Sequence, residues 1–179
     1  MPTITALLTL TERSSAPSWK TAPYENWRPP VIGVSLLVPV GPDAVVVADL
    51  LGSITLPTGL VQDGQTPEQA AQDLLRGGPG ELLILRRVAL AWQQTRRRKV
   101  ITHVLATAPL TRAAVGHLAY RDPRANVRVL PTMRVLKDLN EVGRLRALVA
   151  LQTLATGGTA YIEGGVVHPS APPSLTQST

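Results

Sequence analysis

The sequence predicts an α+β fold: a mixed β-sheet sandwiched between helices in an α/β/α arrangement. 

Three observations point to it. Apolar runs rich in β-branched residues are separated by turn signals, as strands joined in hairpins would be. A few segments between them keep helical spacing and carry clear end signals. The 179 residues, 44% of them hydrophobic and 17% charged, suffice for one folded core.

The elements follow in order. Residues 1–29 read as an extended arm, because Pro17 to Pro30 is rich in Pro, Ser and aromatic side chains. A domain is expected over 30–160. Val31 to Val40 is an apolar run ending at Gly41-Pro42-Asp43, and Ala44 to Ala48 follows, so the two read as a hairpin. Ile54 to Leu56 is a short third strand. Thr66 can cap a helix that reaches Arg76, with Pro67 at its first position, Gln69 completing a capping box and Gly77-Gly78-Pro79 ending it. Ala70, Ala71, Leu74 and Leu75 would share one face. Leu82 to Gln94 and Val100 to Ala108 are strands on either side of the basic tip Arg96-Arg97-Arg98-Lys99. A short helix is expected from Arg112 to Leu118, and a short strand from Val127 to Leu130. The longest helix is expected from about Leu139 to Ala155, capped by Asp138 and stopped by Gly157-Gly158. Its Leu139, Val142, Leu145, Leu148 and Leu151 keep helical spacing. Residues 161–179 read as a tail, disordered from about 168, where Pro, Ser and Thr crowd the chain.

Composition excludes several chemistries. Cysteine is absent, which removes disulfides, thiolate catalysis and zinc or iron–sulfur ligation by sulfur. Lys plus Arg is 18 against 12 Asp plus Glu, a net charge of +6. Most of the cations are Arg, whose planar fork suits phosphate or carboxylate. That bias, with abundant Ala, Leu and Val, also points to a GC-rich genome of the actinobacterial kind. No apolar run is long enough for a membrane span, and the N-terminus lacks the pattern of a signal peptide, so a cytoplasmic protein is expected. There is no Gly-x-Ser-x-Gly elbow, phosphate-binding loop or dinucleotide fingerprint.

The segment from Leu56-Pro57-Thr58-Gly59 to Gly80 resembles a Nudix box. That family's pattern is Gly, five residues, Glu, seven residues, Arg-Glu, an aliphatic, any residue, Glu-Glu, any residue, Gly. Gly59 stands at the first Gly, Leu75 at the aliphatic and Gly80 at the last Gly. Thr66-Pro67-Glu68-Gln69-Ala70-Ala71 fills the gap as typical members do. The resemblance implies a Nudix-like sandwich over roughly residues 30 to 155. It departs where the family's chemistry lies: Gln65 replaces the first Glu, Asp73-Leu74 the Arg-Glu pair, and Gly77-Gly78 the Glu-Glu pair. In the family those carboxylates share a helical face and hold divalent metal against a diphosphate. Leu74, Gly77 and Gly78 offer magnesium no oxygen ligand. Metal, cofactor and catalytic residues are therefore all expected to be absent, with Asp63 and Glu81 as displaced acidic candidates. The family's Glu–Arg pair maps onto Gln65 and Asp73, and a Gln amide can still donate to a carboxylate. A structural clip kept after the metal site was lost is the expectation.

Ligand-binding candidates are Trp27, Arg28, Arg86, Arg87, Trp92, Arg96, Arg97, Arg98 and His103. The Arg run reads as a solvated hairpin tip, and alternation sends Arg86 and Arg87 to opposite faces. His103 reads as a hydrogen-bonded core histidine. Trp19, Tyr24 and Trp27 are expected to anchor the arm. The resulting function is non-hydrolytic: binding of a nucleotide-like or other small phosphorylated ligand, or a regulatory or scaffolding role, in a homodimer. The alternatives are a hydrolase of nucleoside diphosphate derivatives working through displaced residues or without metal, and an RNA- or DNA-binding protein. Only 3% of residues are aromatic, which disfavours single-strand recognition by stacking.

Overall fold

In the computed structural model, residues 28–78 and 82–168 are described. In chain order the elements are β1 (Val31–Leu37), β2 (Pro39–Val40), β3 (Ala44–Leu50), β4 (Ser53–Thr55), β5 (Thr58–Leu60), α1 (Pro67–Gln72), β6 (Leu75–Arg76), β7 (Ile84–Gln94) and β8 (Lys99–Thr107). Then come α2 (Arg112–Val115), β9 (Ala119–Tyr120), β10 (Ala125–Pro131), α3 (Thr132–Asp138), α4 (Glu141–Thr156), β11 (Ala160–Glu163) and β12 (Val166–His168). A mixed sheet runs β12-β11-β7-β8-β1-β5, with β1–β8 and β11–β7 parallel and its other pairs antiparallel. A second, antiparallel sheet has β3 between β10 and β2, with β4 also on β3. The α+β sandwich is present.

The near-continuous apolar strands are explained by burial on both faces. Leu37, Val45, Val47, Val104 and Ala106 point into one core, covered by α3 and α4. Val34, Leu36, Val46 and Leu105 point into another, which contains Ala70 and Ala71 of α1 and Val115 of α2. Alternation along single strands thus feeds both layers.

Several expectations need correction. The run Val31 to Val40 is not one strand. Pro39 cannot donate to a ladder, and at Val38 the chain leaves the mixed sheet; β2 alone forms the hairpin with β3. The first helix stops at Gln72, and Leu75 enters β6, which pairs with β9. Asp138 closes α3 rather than capping the long helix. Leu139 is extended, and Asn140 is the cap, its side chain accepting from Gly143 N at 2.8 Å. The buried face of α4 is Ala147, Val149, Ala150 and Thr153, whereas Val142 and Leu148 are exposed. Small residues let the helix lie close to the sheet. Residues 161–168 are no tail: β11 extends the mixed sheet beside β7, and Gly164-Gly165 turns the chain into β12. Residues 169–179 and the N-terminal arm, with Trp19, Tyr24 and Trp27, lie outside the described residues.

Two predicted ligand candidates prove to belong to the fold. Arg86 donates to the carbonyls of Thr153 (2.6 Å), Leu154 (3.4 Å) and Gly158. It satisfies the open end of α4 and opposes its dipole. His103 is half-buried between cross-strand neighbours Leu90 and Val34. It is not the hydrogen-bonded core residue expected, because its buried Nδ1 has no partner among the described residues. Burial, then repulsion from Arg87, holds its pKa below the usual 6.5, with Glu68 acting in the opposite sense.

Two outcomes follow. Arg86→Met should cost about 2 kcal/mol in urea unfolding, since two carbonyls in the last turn of α4 and that of Gly158 beyond it lose a charged donor. For His103 the unfolded chain takes up a proton more readily than the folded one. Its contribution to stability is therefore full above the unfolded pKa of about 6.5 and is lost as pH falls from there through the lower folded pKa. Melting temperature should fall less steeply from about pH 7.5 to 5.5 in His103→Gln than in the parent; parallel curves would refute this origin.

Candidate functional site

The segment that resembles the box folds into a loop, a short helix and a strand. Thr66 caps α1, its side chain accepting from Gln69 N while the Gln69 side chain accepts from Thr66 N. Asp73 caps the other end. Gln65 Nε2 donates to Asp73 Oδ2 at 2.8 Å, so the loop before α1 is tied to its C-terminus. Arg76 pairs with the other Asp73 oxygen at 2.8 Å. Arg76 first, and then the Gln65 amide, hold the Asp73 carboxyl below the usual carboxylate range, with burial opposing them.

Beyond Asp73 the helix does not continue. Leu74 is 1% exposed and its side chain lies against Gly59 of β5. A Cβ at Gly59 would stand 2.5 Å from Leu74 Cδ2. Leu74 O accepts from Arg121 N at 2.9 Å, and Leu75 and Arg76 pair with Tyr120 and Ala119. The Tyr120 hydroxyl accepts from Thr58 N and also donates to Thr58 O. Gly77 has φ +91°, and a Cβ there would meet His117 O at 2.7 Å. Gly77 is therefore needed for the backbone itself. Helix end, glycine strand and β9 form one closed joint.

Beside that joint is a cleft of about 310 Å³, lined by Ser53, Thr55, Thr58, Leu74, Tyr120 and Arg121 among others. Leu74 and the strand residues give it an apolar floor, and Arg121 supplies a cation at its rim. Asp63 lies outside this cleft, exposed in a shallow hollow shared with Gln65 and Asp73. Glu81 lies outside the described residues. Among the described residues no three His, Asp or Glu side chains converge as metal ligands.

Among the described residues the predicted ligand residues do not gather in one cavity. Arg96 and Arg97 are exposed and Arg98 half-buried at the hairpin tip, where Thr95 N donates to Arg98 O at 3.0 Å. Arg28 is exposed ahead of β1, and Arg87 is exposed on β7. Trp27 lies outside the described residues. Trp92 is buried and lines a different, larger cavity of about 770 Å³ between α4 and the ends of β7, β8 and β11. Lys99 Nζ stands 5.7 Å from the Trp92 ring centroid. Tyr120, Arg121 and Arg146 escaped the sequence reading. Tyr120 and Arg121 become neighbours of the box only through the β6–β9 pairing, for which two-residue strands leave no periodic signal.

No family model matches the sequence, and no curated protein matches it. Solved structures do match in shape. The solution structure of the E. coli ORF135 protein aligns with TM-score 0.57 and 12% identity, over 75% of this chain and 97% of that one. A NUDIX hydrolase from Nitrosomonas europaea aligns with TM-score 0.54 and 15% identity, over 76% of this chain and 78% of that one. The MutT protein from Methanosarcina mazei Go1 aligns with TM-score 0.53 and 10% identity, over 74% and 98%. At these identities the likeness is one of architecture, and together with the loop–helix–strand around Gly59 it identifies the chain as having a Nudix-like fold.

Proposed function

We propose that this is a non-hydrolytic Nudix-fold protein, a ligand-binding or regulatory subunit in which the box serves as a structural joint. The observation that carries the reading is Leu74. It stands where the family pattern has a Glu, and it is packed against Gly59 with almost no exposure. A carboxylate there would be packed against Gly59 and lose its water. Gly77 and Gly78 stand beyond the end of α1, so side chains at those positions would not continue its face. The Gln65–Asp73 bond keeps the loop-to-helix clip without an ion pair. The cleft beside the joint retains hydroxyl donors and Arg121, which suits a small phosphorylated ligand bound through oxygen and charge.

The test is turnover and binding together. Nucleoside diphosphate derivatives should give no hydrolysis product with magnesium or manganese. A thermal-melt panel of nucleotides and nucleotide-sugar diphosphates should show any stabilisation unchanged when metal is removed. Turnover abolished by Asp63→Asn or Glu81→Gln would overturn the proposal. Leu74→Glu should lower stability by about 3 kcal/mol or more without rescue by divalent metal. Metal-dependent stabilisation of that variant would instead mean that the site accepts the family's chemistry. Tyr120→Phe should cost about 1 kcal/mol, read by urea unfolding, because both Thr58 bonds lose their partner.

A further inference from the structure

The larger cavity lies away from the box. Gly59 pairs with Val34 toward the middle of β1, whereas the cavity opens at the ends of β7 and β8, where Gln93 pairs with Val100 and Gln94 with Lys99. Its roof is α4, which brings Glu141, Val142, Leu145 and Arg146 to one side at helical spacing. Ala91 and Ile162 contribute apolar surface from the strands beneath. A volume of about 770 Å³ is within the range of small-molecule sites.

Arg146 is the unusual group. Its side chain is half-buried, and burial alone lowers the pKa of its guanidinium. No ion pair joins it to a carboxylate among the described residues, although Glu141 and Glu163 line the same cavity. Glu163 lies instead toward His168, at 3.9 Å. A guanidinium that is partly desolvated without a carboxylate partner is held at a cost to the fold. Its planar fork matches two oxygens of one anion. Lys99 adds a second cation above the Trp92 ring. The two carboxylates oppose a large polyanion such as a triphosphate or a nucleic-acid backbone, but leave room for one small anionic group.

We propose that this cavity binds a small organic anion, a carboxylate or phosphate monoester on an apolar body, with Arg146 as the anchoring cation. Val142, Leu145 and Ile162 cover the body of the ligand, and Lys99 supplements the charge. The site is independent of the cleft at the box.

The experiment is a thermal-melt screen of the full chain against small aliphatic and aromatic carboxylates, phosphate monoesters, inorganic phosphate and a nucleoside triphosphate. Titration calorimetry on any stabilising compound follows. A carboxylate or monoester should stabilise the protein, and the triphosphate should do so less. Arg146→Met should weaken that binding about tenfold or more, and Lys99→Met by a smaller factor. Without ligand, Arg146→Met should melt at or above the parent, because a half-buried guanidinium with no carboxylate partner among the described residues has gone. Should Arg146→Met fail to fold, Arg146→Lys keeps the charge while losing the fork, and should still bind more weakly. No stabilisation by any carboxylate or monoester, or equal binding by the parent and both Arg146 variants, would overturn the proposal. Binding lost in Arg121→Met but not in the Arg146 variants would overturn it too, and would place the ligand in the box cleft.

Discussion

Leu74 and Gly59 occupy one space, and the arrangement of the box depends on that contact. With Leu74 Cδ2 standing 2.5 Å from where a Cβ of residue 59 would be, only glycine fits the strand without displacing a fully packed side chain. Leu74 is held there from both directions. Its carbonyl accepts from Arg121 N, and the next residue enters the β6–β9 pair. The helix must therefore end before Leu74. The Asp73 cap, the Gln65 bond and the left-handed Gly77 are the local means by which it does so.

Closing the joint this way has consequences for chemistry. A carboxylate ligand set carried on one helix needs an exposed face with residues three and four apart. Here α1 spans only Pro67–Gln72, so Leu74 falls in the turn after the helix and Gly77 and Gly78 in the loop after β6. Charge at this end of the molecule is instead arranged around Asp73, shared between Arg76 and Gln65. The cleft beside the joint is bordered by Tyr120 and Arg121, and Tyr120 is committed by its hydroxyl to Thr58.

Much of this architecture was legible in the sequence. Thr66 and Gln69 announce the start of α1 by their capping hydrogen bonds and Pro67 by its fixed φ, and the Gln65–Asp73 bond stands where the resemblance to the box implies one. The strands of both cores were visible as apolar runs. What escaped was decided at long range or by one residue. Pro39 moves the chain between sheets, Asn140 rather than Asp138 caps α4, and β11 is recruited by pairing with β7. Arg86 looked like a ligand group because its partners, the carbonyls at the end of α4, lie some seventy positions along the chain. Arg146 could not be singled out because its isolation exists only once α4 is laid on the sheet.

The most direct measurement is native-state hydrogen exchange at the amides of Thr58 and Arg121, whose acceptors are Tyr120 Oη and Leu74 O. If the box is a closed structural joint, both should open only with global unfolding, to the same extent with and without magnesium. Fast exchange through local opening, or protection that appears only when metal is added, would contradict the account.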